Sequence, residues 1–162
     1  MVVNTASPVL SVEILEILKH IPHRYPFLLV DRVDGCVPNE WVKATKNVSL
    51  NDHFFNGVPT SLRVMPQMLI VEALAQTAGV LCHFSGFLDG PGHPLMFLAG
   101  LDRCRFGREA RPGDQLRLEC KMSRVMRGIV KMSGIASIRG EKVLEAGLTA
   151  AVRQTEISTS SP

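Results

Sequence analysis

The stretch MLIVEALAQTAGVLCHF, residues 68–84, is the longest apolar segment of the chain and predicts one long helix. It is apolar almost all round, which is typical of a helix enclosed by other elements. Glu72, Gln76 and His83 interrupt the apolar run, and such interruptions disfavour a membrane span. We therefore predict a buried helix at the centre of the fold.

Strand-like runs flank this helix on both sides in the sequence. They cover residues 27–33, 41–48, 95–106, 115–125, 129–138 and 142–152. The turn signals between them are Asp34-Gly35, Pro38-Asn39, Pro112-Gly113, Met126-Arg127-Gly128 and Arg139-Gly140. A short helix near the N-terminus should be capped by Ser11 and ended by Pro22 and Pro26. This order of elements predicts an α+β fold in which an antiparallel sheet wraps around the long helix.

At 162 residues the chain fits a single domain, with a core of about residues 12–153 and flexible ends at residues 1–9 and 155–162. No basic segment followed by an apolar run opens the sequence, so we expect no signal peptide and a cytoplasmic location. A reducing cytosol and wide spacing favour free thiols over a disulfide or a zinc site at Cys36, Cys82, Cys104 and Cys120. We expect neither a metal nor an organic cofactor.

Positive charge is concentrated in residues 102–131, where nine basic residues against four acidic ones give a net charge of +5. Such a patch attracts an acidic partner. The segment lacks interleaved aromatic residues, which disfavours nucleic acid. Solvated outer faces of strands account for part of this charge.

Glu72 lies in the middle of the apolar helix, where an unpaired carboxylate would cost several kcal/mol. It therefore needs a partner, a raised pKa or a cavity containing solvent. Gln76 is four residues further on and shares its helical face. An amphipathic surface helix with both side chains exposed is the alternative, and the apolar composition argues against it. We expect Glu72 to face a cleft or tunnel at the interface of a dimer, with a pKa raised by its apolar surroundings.

Three motifs in this order resemble the 3-hydroxyacyl-acyl carrier protein dehydratases of fatty acid synthesis. They are PHRYPFLLVDRV at 22–33, NDHFFNGVPTSLRVMPQ with the helix at 51–84, and FLAGLDRCRFGREARPGDQL at 97–116. The resemblance extends over roughly residues 14–152. It implies a hotdog fold, a homodimer or higher oligomer that joins its sheets edge to edge, and a 3-hydroxyacyl thioester substrate on an acyl carrier protein.

The resemblance also implies a mechanism. A histidine removes the proton from the α-carbon, and the helix carboxylate assists departure of the 3-hydroxyl as water. A backbone N–H at the helix N-terminus polarises the thioester carbonyl. The histidine and the carboxylate come from opposite subunits, so the dimer is part of the site.

The match to this site is incomplete. Glu72 corresponds to the carboxylate and Gln76 to the glutamine that follows it, whereas Val58 stands after Gly57 in place of the catalytic histidine. In an alternative alignment, Val58-Pro59 matches the Phe-Pro of the family and the histidine is deleted. The loop lacks the histidine in either alignment. Gln67 replaces the glycine whose N–H serves the carbonyl. The residues expected to bind substrate are thus Gly57, Val58, Gln67 and Gln76.

Among the other histidines, one is a candidate for the missing base. His53 precedes Val58 by five residues in the same loop and is the candidate, although the chain would have to bend sharply to bring it to the cleft. His83 lies about 16 Å from Glu72 along the helix axis, which is too far. His23, in the first motif, is interpreted as structural.

Arg105 and Arg108 match basic residues that members of the family place beside the substrate entrance to dock the acidic carrier protein. Gly107 stands where a lysine is frequent, which should weaken docking slightly.

Three functions are compatible with these residues. The chain is a dehydratase with a rearranged base, or a thioesterase-like hydrolase in which Glu72 activates water. Alternatively it is non-catalytic alone, as an acyl-thioester-binding protein or as one half of a heterodimer whose intact partner supplies the histidine.

Overall fold

The computed structural model describes residues 10–89 and 94–153. The elements are β1 (Leu10–Val12), α1 (Ile14–His20), β2 (Arg32–Val37), β3 (Trp41–Asn47), 3₁₀ turns at His53–Phe55 and Thr60–Leu62, α2 (Gln67–Phe84), β4 (Leu95–Phe106), β5 (Gln115–Met126), β6 (Ile129–Ile138) and β7 (Glu141–Arg153). The ends predicted to be flexible, residues 1–9 and 155–162, lie outside the described residues.

The strands form one antiparallel sheet in the order β1-β2-β3-β5-β6-β7-β4. The sheet wraps around α2, twelve of whose 18 residues are buried. Alternate residues of β5, such as Leu116, Leu118 and Cys120, face the core, while those between them are exposed. The predicted architecture, an antiparallel sheet around one long helix, is confirmed.

Helix α2 merits comparison with a membrane span because of its composition. Among the residues that the structure describes, it is the one helix long and apolar enough to cross a bilayer by length and composition. Yet 67% of it is buried inside the fold, as in the core helix of a globular domain.

The last four strands follow the predicted pattern closely. β4 and β6 have the predicted bounds, β5 is one residue longer at its C-terminal end, and β7 is one residue longer at each end. Arg127-Gly128 and Arg139-Gly140 both have positive φ, with values of 50° and 77° in the first turn and 52° and 86° in the second. Two consecutive residues with positive φ make the tight hairpin turn that matches the twist of the adjoining strands.

The first predicted strand, residues 27–33, is wrong over most of its length, because β2 begins only at Arg32. The backbone of Phe27 and Leu29 bonds to the side chain of Gln76 instead of to a neighbouring strand. Asp34-Gly35 is also not a turn. It lies within β2, where the register shifts between Val33 and Gly35.

The predicted cap at Ser11 is wrong as well. Ser11 lies in β1, and α1 starts after Glu13, whose carbonyl accepts hydrogen bonds from the N–H groups of Glu16 and Ile17. Residue 11 is therefore used by the sheet rather than by the helix. The helix ends at His20, before Pro22 as predicted.

Candidate functional site

Glu72 lies in the second turn of α2, with 24% of its side chain exposed, and faces a cavity of about 80 Å³. His23 forms part of the wall. The other lining residues come from α2, β4, β6 and β7: Ala75, Gln76, Ala78, Met96, Leu98, Met132, Leu148 and Ala150. Because nearly all of these side chains are apolar, Glu72 and His23 supply the ionisable groups of this cavity.

The Glu72 carboxylate is held through one of its two oxygens. Its Oε1 accepts a hydrogen bond from Gln76 Nε2 at 2.9 Å and lies 3.3 Å from His23 Nε2. Its Oε2 has no hydrogen-bond partner among residues 10–89 and 94–153. One carboxylate oxygen is therefore fixed and the other is available for chemistry.

Gln76 joins this carboxylate to the segment that precedes β2. Its Nε2 also donates to the Phe27 carbonyl at 2.7 Å, and its Oε1 accepts from the Leu29 N–H at 2.8 Å. Spacing of four residues places Gln76 one turn above Glu72 on the same helical face. Since the glutamine is buried, these bonds satisfy its amide and orient the carboxylate.

The pKa of Glu72 is shifted in the direction opposite to the prediction. Burial raises it, but the hydrogen bonds from His23 and Gln76, together with the charge of a protonated His23, outweigh burial. The net result is a pKa below the ordinary value of a glutamate. The prediction of a raised pKa was wrong because it took account of the apolar neighbours and not of these two partners.

His23 is a residue of the site that sequence reasoning missed. It lies between α1 and β2, where the guanidinium of Arg24 donates to the carbonyls of Leu18, Ile21 and His23, each at 2.8 Å. The signal that could have found it was its place inside the motif PHRYPF. Nothing in the sequence spacing links His23 to Glu72, because β2, β3 and the long loop lie between them along the chain.

The loop that carries Gly57 and Val58 is anchored to the core by the buried side chains of Phe55 and Met65. Gly57 has a φ of 75°, which glycine adopts readily. The Val58 carbonyl accepts a hydrogen bond from Arg63 Nε at 2.9 Å. Neither Gly57 nor Val58 lines the Glu72 cavity of the same chain.

His53, the predicted replacement base, lies in the first 3₁₀ turn. Its ring packs near Phe54, with centroids 5.4 Å apart, and near Tyr25 at 6.3 Å. It is not among the residues that line the Glu72 cavity within one chain. A catalytic role for His53 stays a prediction.

Gln67 is the first residue of α2, and the first helical hydrogen bonds run from Leu69 and Ile70 to the Pro66 carbonyl. The N–H groups of Gln67 and Met68 therefore have no partner in the part of the chain that the structure describes. Both N–H groups lie at the N-terminal end of α2, which is the positive end of the helix dipole. They are therefore suited to donate to a carbonyl oxygen.

A second cavity, of about 400 Å³, continues from the first along α2. The two share His23, Ala75, Gln76 and Met96, and the second extends past Gly79 to His20 and His83. The rings of His20 and His83 stack with centroids 4.0 Å apart. Together the two cavities form a largely apolar groove that begins at Glu72.

The two arginines predicted to bind a carrier protein differ in their environment. Arg105 is exposed on β4, whereas Arg108 is engaged by Asp114 at 3.2 Å and by Glu141 at 3.4 Å. At Gly107, a Cβ would collide with the carbonyl oxygen of Lys142. A lysine at this position would therefore require the backbone to move.

Comparison with known proteins connects this geometry to a family. The FabA-like domain matches residues 21–147. The chain belongs to the FabA-like family. Over 145 residues it is 46% identical to the 3-hydroxyacyl-[acyl-carrier-protein] dehydratase FabZ of Shewanella loihica, covering 89% of this chain and 94% of that protein. It is 45% identical over 145 residues to FabZ of Nitratidesulfovibrio vulgaris, covering 89% and 93%.

Solved structures place this FabA-like chain among hotdog folds. The dehydratase heterocomplex ApeI:P from Xenorhabdus doucetiae matches with a TM-score of 0.71 at 17% identity, covering 87% of this chain and 91% of that chain. A hot-dog-like protein from Thermanaerovibrio acidaminovorans matches with a TM-score of 0.57 at 20% identity, covering 71% and 82%. At these identities the matches show the fold alone, and the predicted hotdog fold is confirmed.

Proposed function

We propose that this chain is a dehydratase-type protein that binds 3-hydroxyacyl thioesters carried by an acyl carrier protein, in fatty acid or related biosynthesis, with Glu72 as its catalytic carboxylate. The observation that carries the proposal is the Glu72 carboxylate, held through Oε1 and free at Oε2, at the start of an apolar groove. Similarity to the FabZ dehydratases supports the reaction class.

The groove suits an acyl chain bound with its thioester end near Glu72. Apolar side chains line most of its length along α2 and β4, so a hydrocarbon chain gains by leaving water. The exposed Arg105 on β4 supports docking of an acidic carrier.

The catalytic pair is incomplete in this proposal, because the side chain of Val58 cannot accept a proton. Loss of a general base commonly costs on the order of 10²–10⁴ in rate. The protein alone should therefore dehydrate 3-hydroxyacyl thioesters slowly. An intact partner subunit would supply the missing histidine in a heterodimer.

Assay of the purified protein on 3-hydroxybutyryl and crotonyl thioesters tests this proposal, by following the unsaturated product and its hydration. We expect slow turnover in both directions. A rate equal to that of ordinary dehydratases would contradict the incomplete pair, and loss of that rate in His53→Ala would then identify the base. Release of free thiol without unsaturated product would support the thioesterase alternative, which the lowered pKa of Glu72 favours by leaving a carboxylate to activate water.

Strand β4 supports a homodimer. It forms one edge of the sheet and is twelve residues long. Large apolar side chains are exposed along it at Leu95, Phe97, Leu98, Leu101 and Phe106. A long apolar edge strand left uncovered invites pairing with another chain. We propose that two copies join through β4, which would bring the second copy beside the Glu72 groove.

Light scattering after size exclusion should give about twice the chain mass of 17.8 kDa. Leu101→Glu should shift the protein towards monomer, because Leu101 lies on β4 and two added charges would meet at the paired edges. Leu15→Glu is the matched control, since Leu15 is 75% exposed on α1. A monomeric unmodified protein, or equal effects of the two substitutions, would contradict pairing through β4.

A further inference from the structure

We propose that His23 is a positioning residue that keeps Glu72 as a carboxylate with Oε2 directed into the groove, so that Glu72 alone performs a one-base elimination. This inference rests on the proposed function. It assigns a role to His23 of the same chain. Position 58, where the catalytic histidine was expected, is a valine.

The contact fixes the state of both groups. In the neutral ring, an N–H on Nε2 faces Glu72 Oε1, with the two atoms 3.3 Å apart, and Nδ1 then carries a lone pair. The opposite tautomer would place a lone pair against the carboxylate and is disfavoured. Protonation of the ring strengthens the contact by adding charge. Both states are more stable when Glu72 is ionised, because the oxygen that faces the N–H then carries negative charge.

The second ring nitrogen shows what this arrangement costs. His23 Nδ1 is buried, and it has no hydrogen-bond partner among the residues that the structure describes. An unpaired buried polar atom is unfavourable and calls for an explanation. Placement of Nε2 at the carboxylate supplies one, because the ring is held there at the expense of Nδ1.

The two donors leave one reactive oxygen. Gln76 Nε2 donates to Oε1 at 2.9 Å and His23 Nε2 lies 3.3 Å from the same oxygen, so Oε1 is held in place. Oε2 is the atom that remains for substrate. A carboxylate oriented in this way is suited to accept a proton.

The elimination balances with this one group. Oε2 takes the proton from the α-carbon, and the electron pair of that C–H bond forms the double bond between the α- and β-carbons. The C–O bond at the β-carbon breaks, and the departing hydroxyl receives the same proton back from Oε2. The products are water and the unsaturated thioester, and Glu72 is again a carboxylate.

Two titratable side chains line the Glu72 cavity. The cavity wall contributed by α2, β4, β6 and β7 contains no titratable side chain other than Glu72 among the described residues, and His23 is the one added by the preceding loop. The hydrogen bond and charge of His23 lower the pKa of Glu72 against the opposing effect of burial. When His23 is removed, burial and the hydrogen bond from Gln76 should be the remaining influences on the pKa of Glu72.

A carbon-13 NMR titration of the Glu72 side chain tests the role of His23 without substrate. In His23→Phe the titration midpoint of Glu72 should move to higher pH. In His23→Gln, whose amide can still donate to Oε1, it should move less. His20→Phe is the matched control, because His20 contacts Glu16 rather than Glu72, and it should leave the midpoint unchanged. An unchanged midpoint in both His23 variants would overturn the proposal.

The rate of dehydration as a function of pH gives the second readout. Activity should be present above the pKa of Glu72 and be lost below it, and His23→Phe should move this acidic limb to higher pH. His23→Gln should restore part of the activity lost at low pH. If the NMR shift occurs but no variant or unmodified protein dehydrates the thioester at any pH, the role of His23 in holding Glu72 stands and the proposed function fails. A shifted midpoint with an unshifted acidic limb would overturn Glu72 as the base.

Discussion

Val58→His should raise the rate of 3-hydroxyacyl thioester dehydration by about 10²–10⁴-fold, the usual contribution of a positioned general base. The loop is anchored by Phe55 and Met65 and turns at Gly57, so the new imidazole is presented by an ordered backbone. The carboxylate that would work with it, Glu72, is already in place. The measurement is the initial rate of formation of the unsaturated thioester.

Val58→Gln is the control for this gain, because it adds a polar side chain of similar reach that does not take up a proton near neutral pH. It should leave the rate near that of the unmodified protein. Equal rates in the histidine and glutamine variants would show that the loop does not bring position 58 to the substrate. The heterodimer alternative would then gain support from a mixing experiment. A mixture of this chain with an intact relative should dehydrate the thioester faster than the relative does alone.

Glu72→Gln should abolish the gain from Val58→His, with a fall in rate of about 10²–10⁴-fold relative to that single variant. Glutamine preserves the shape of the side chain and an oxygen that accepts from Gln76, so the fold should be retained. What it removes is the capacity of the second oxygen to exchange a proton. The same substitution in the unmodified background should remove the residual activity.

Glu119→Gln is the matched control, since Glu119 lies on the outer face of β5 and contacts Lys43 at 3.8 Å. It should leave the dehydration rate unchanged. Comparable rates for Glu72→Gln and Glu119→Gln would remove Glu72 from the reaction and with it the proposed site.

The elements after α2 could be predicted because local signals and global packing agree there. In β5 and β6 apolar side chains alternate with polar ones, and glycine-containing turns separate the strands. Residues 27–31 show how this reasoning fails. Their apolar run resembles a strand, yet the side chain of Gln76 satisfies the backbone that a neighbouring strand would have paired.

The candidate site was predicted in part for a similar reason. Glu72 and Gln76 belong to one helix, so their spacing alone placed them together. His23 reaches Glu72 from a segment that is remote in sequence, and a tertiary contact of this kind leaves no trace in residue periodicity. The predicted direction of the Glu72 pKa shift was wrong for this reason. The apolar neighbours of Glu72 could be read from the sequence, whereas its contact with His23 could not.

The Gln76 amide has a consequence for how such a protein can evolve. One side chain ties down the backbone of Phe27 and Leu29 and also orients the Glu72 carboxylate. Mutations at this position are therefore pleiotropic, since they alter thermal robustness and proton affinity in a single step. A laboratory selection for heat tolerance that changes residues 27–29 should recover variants with altered pH optima, although none of those residues bears an ionisable group.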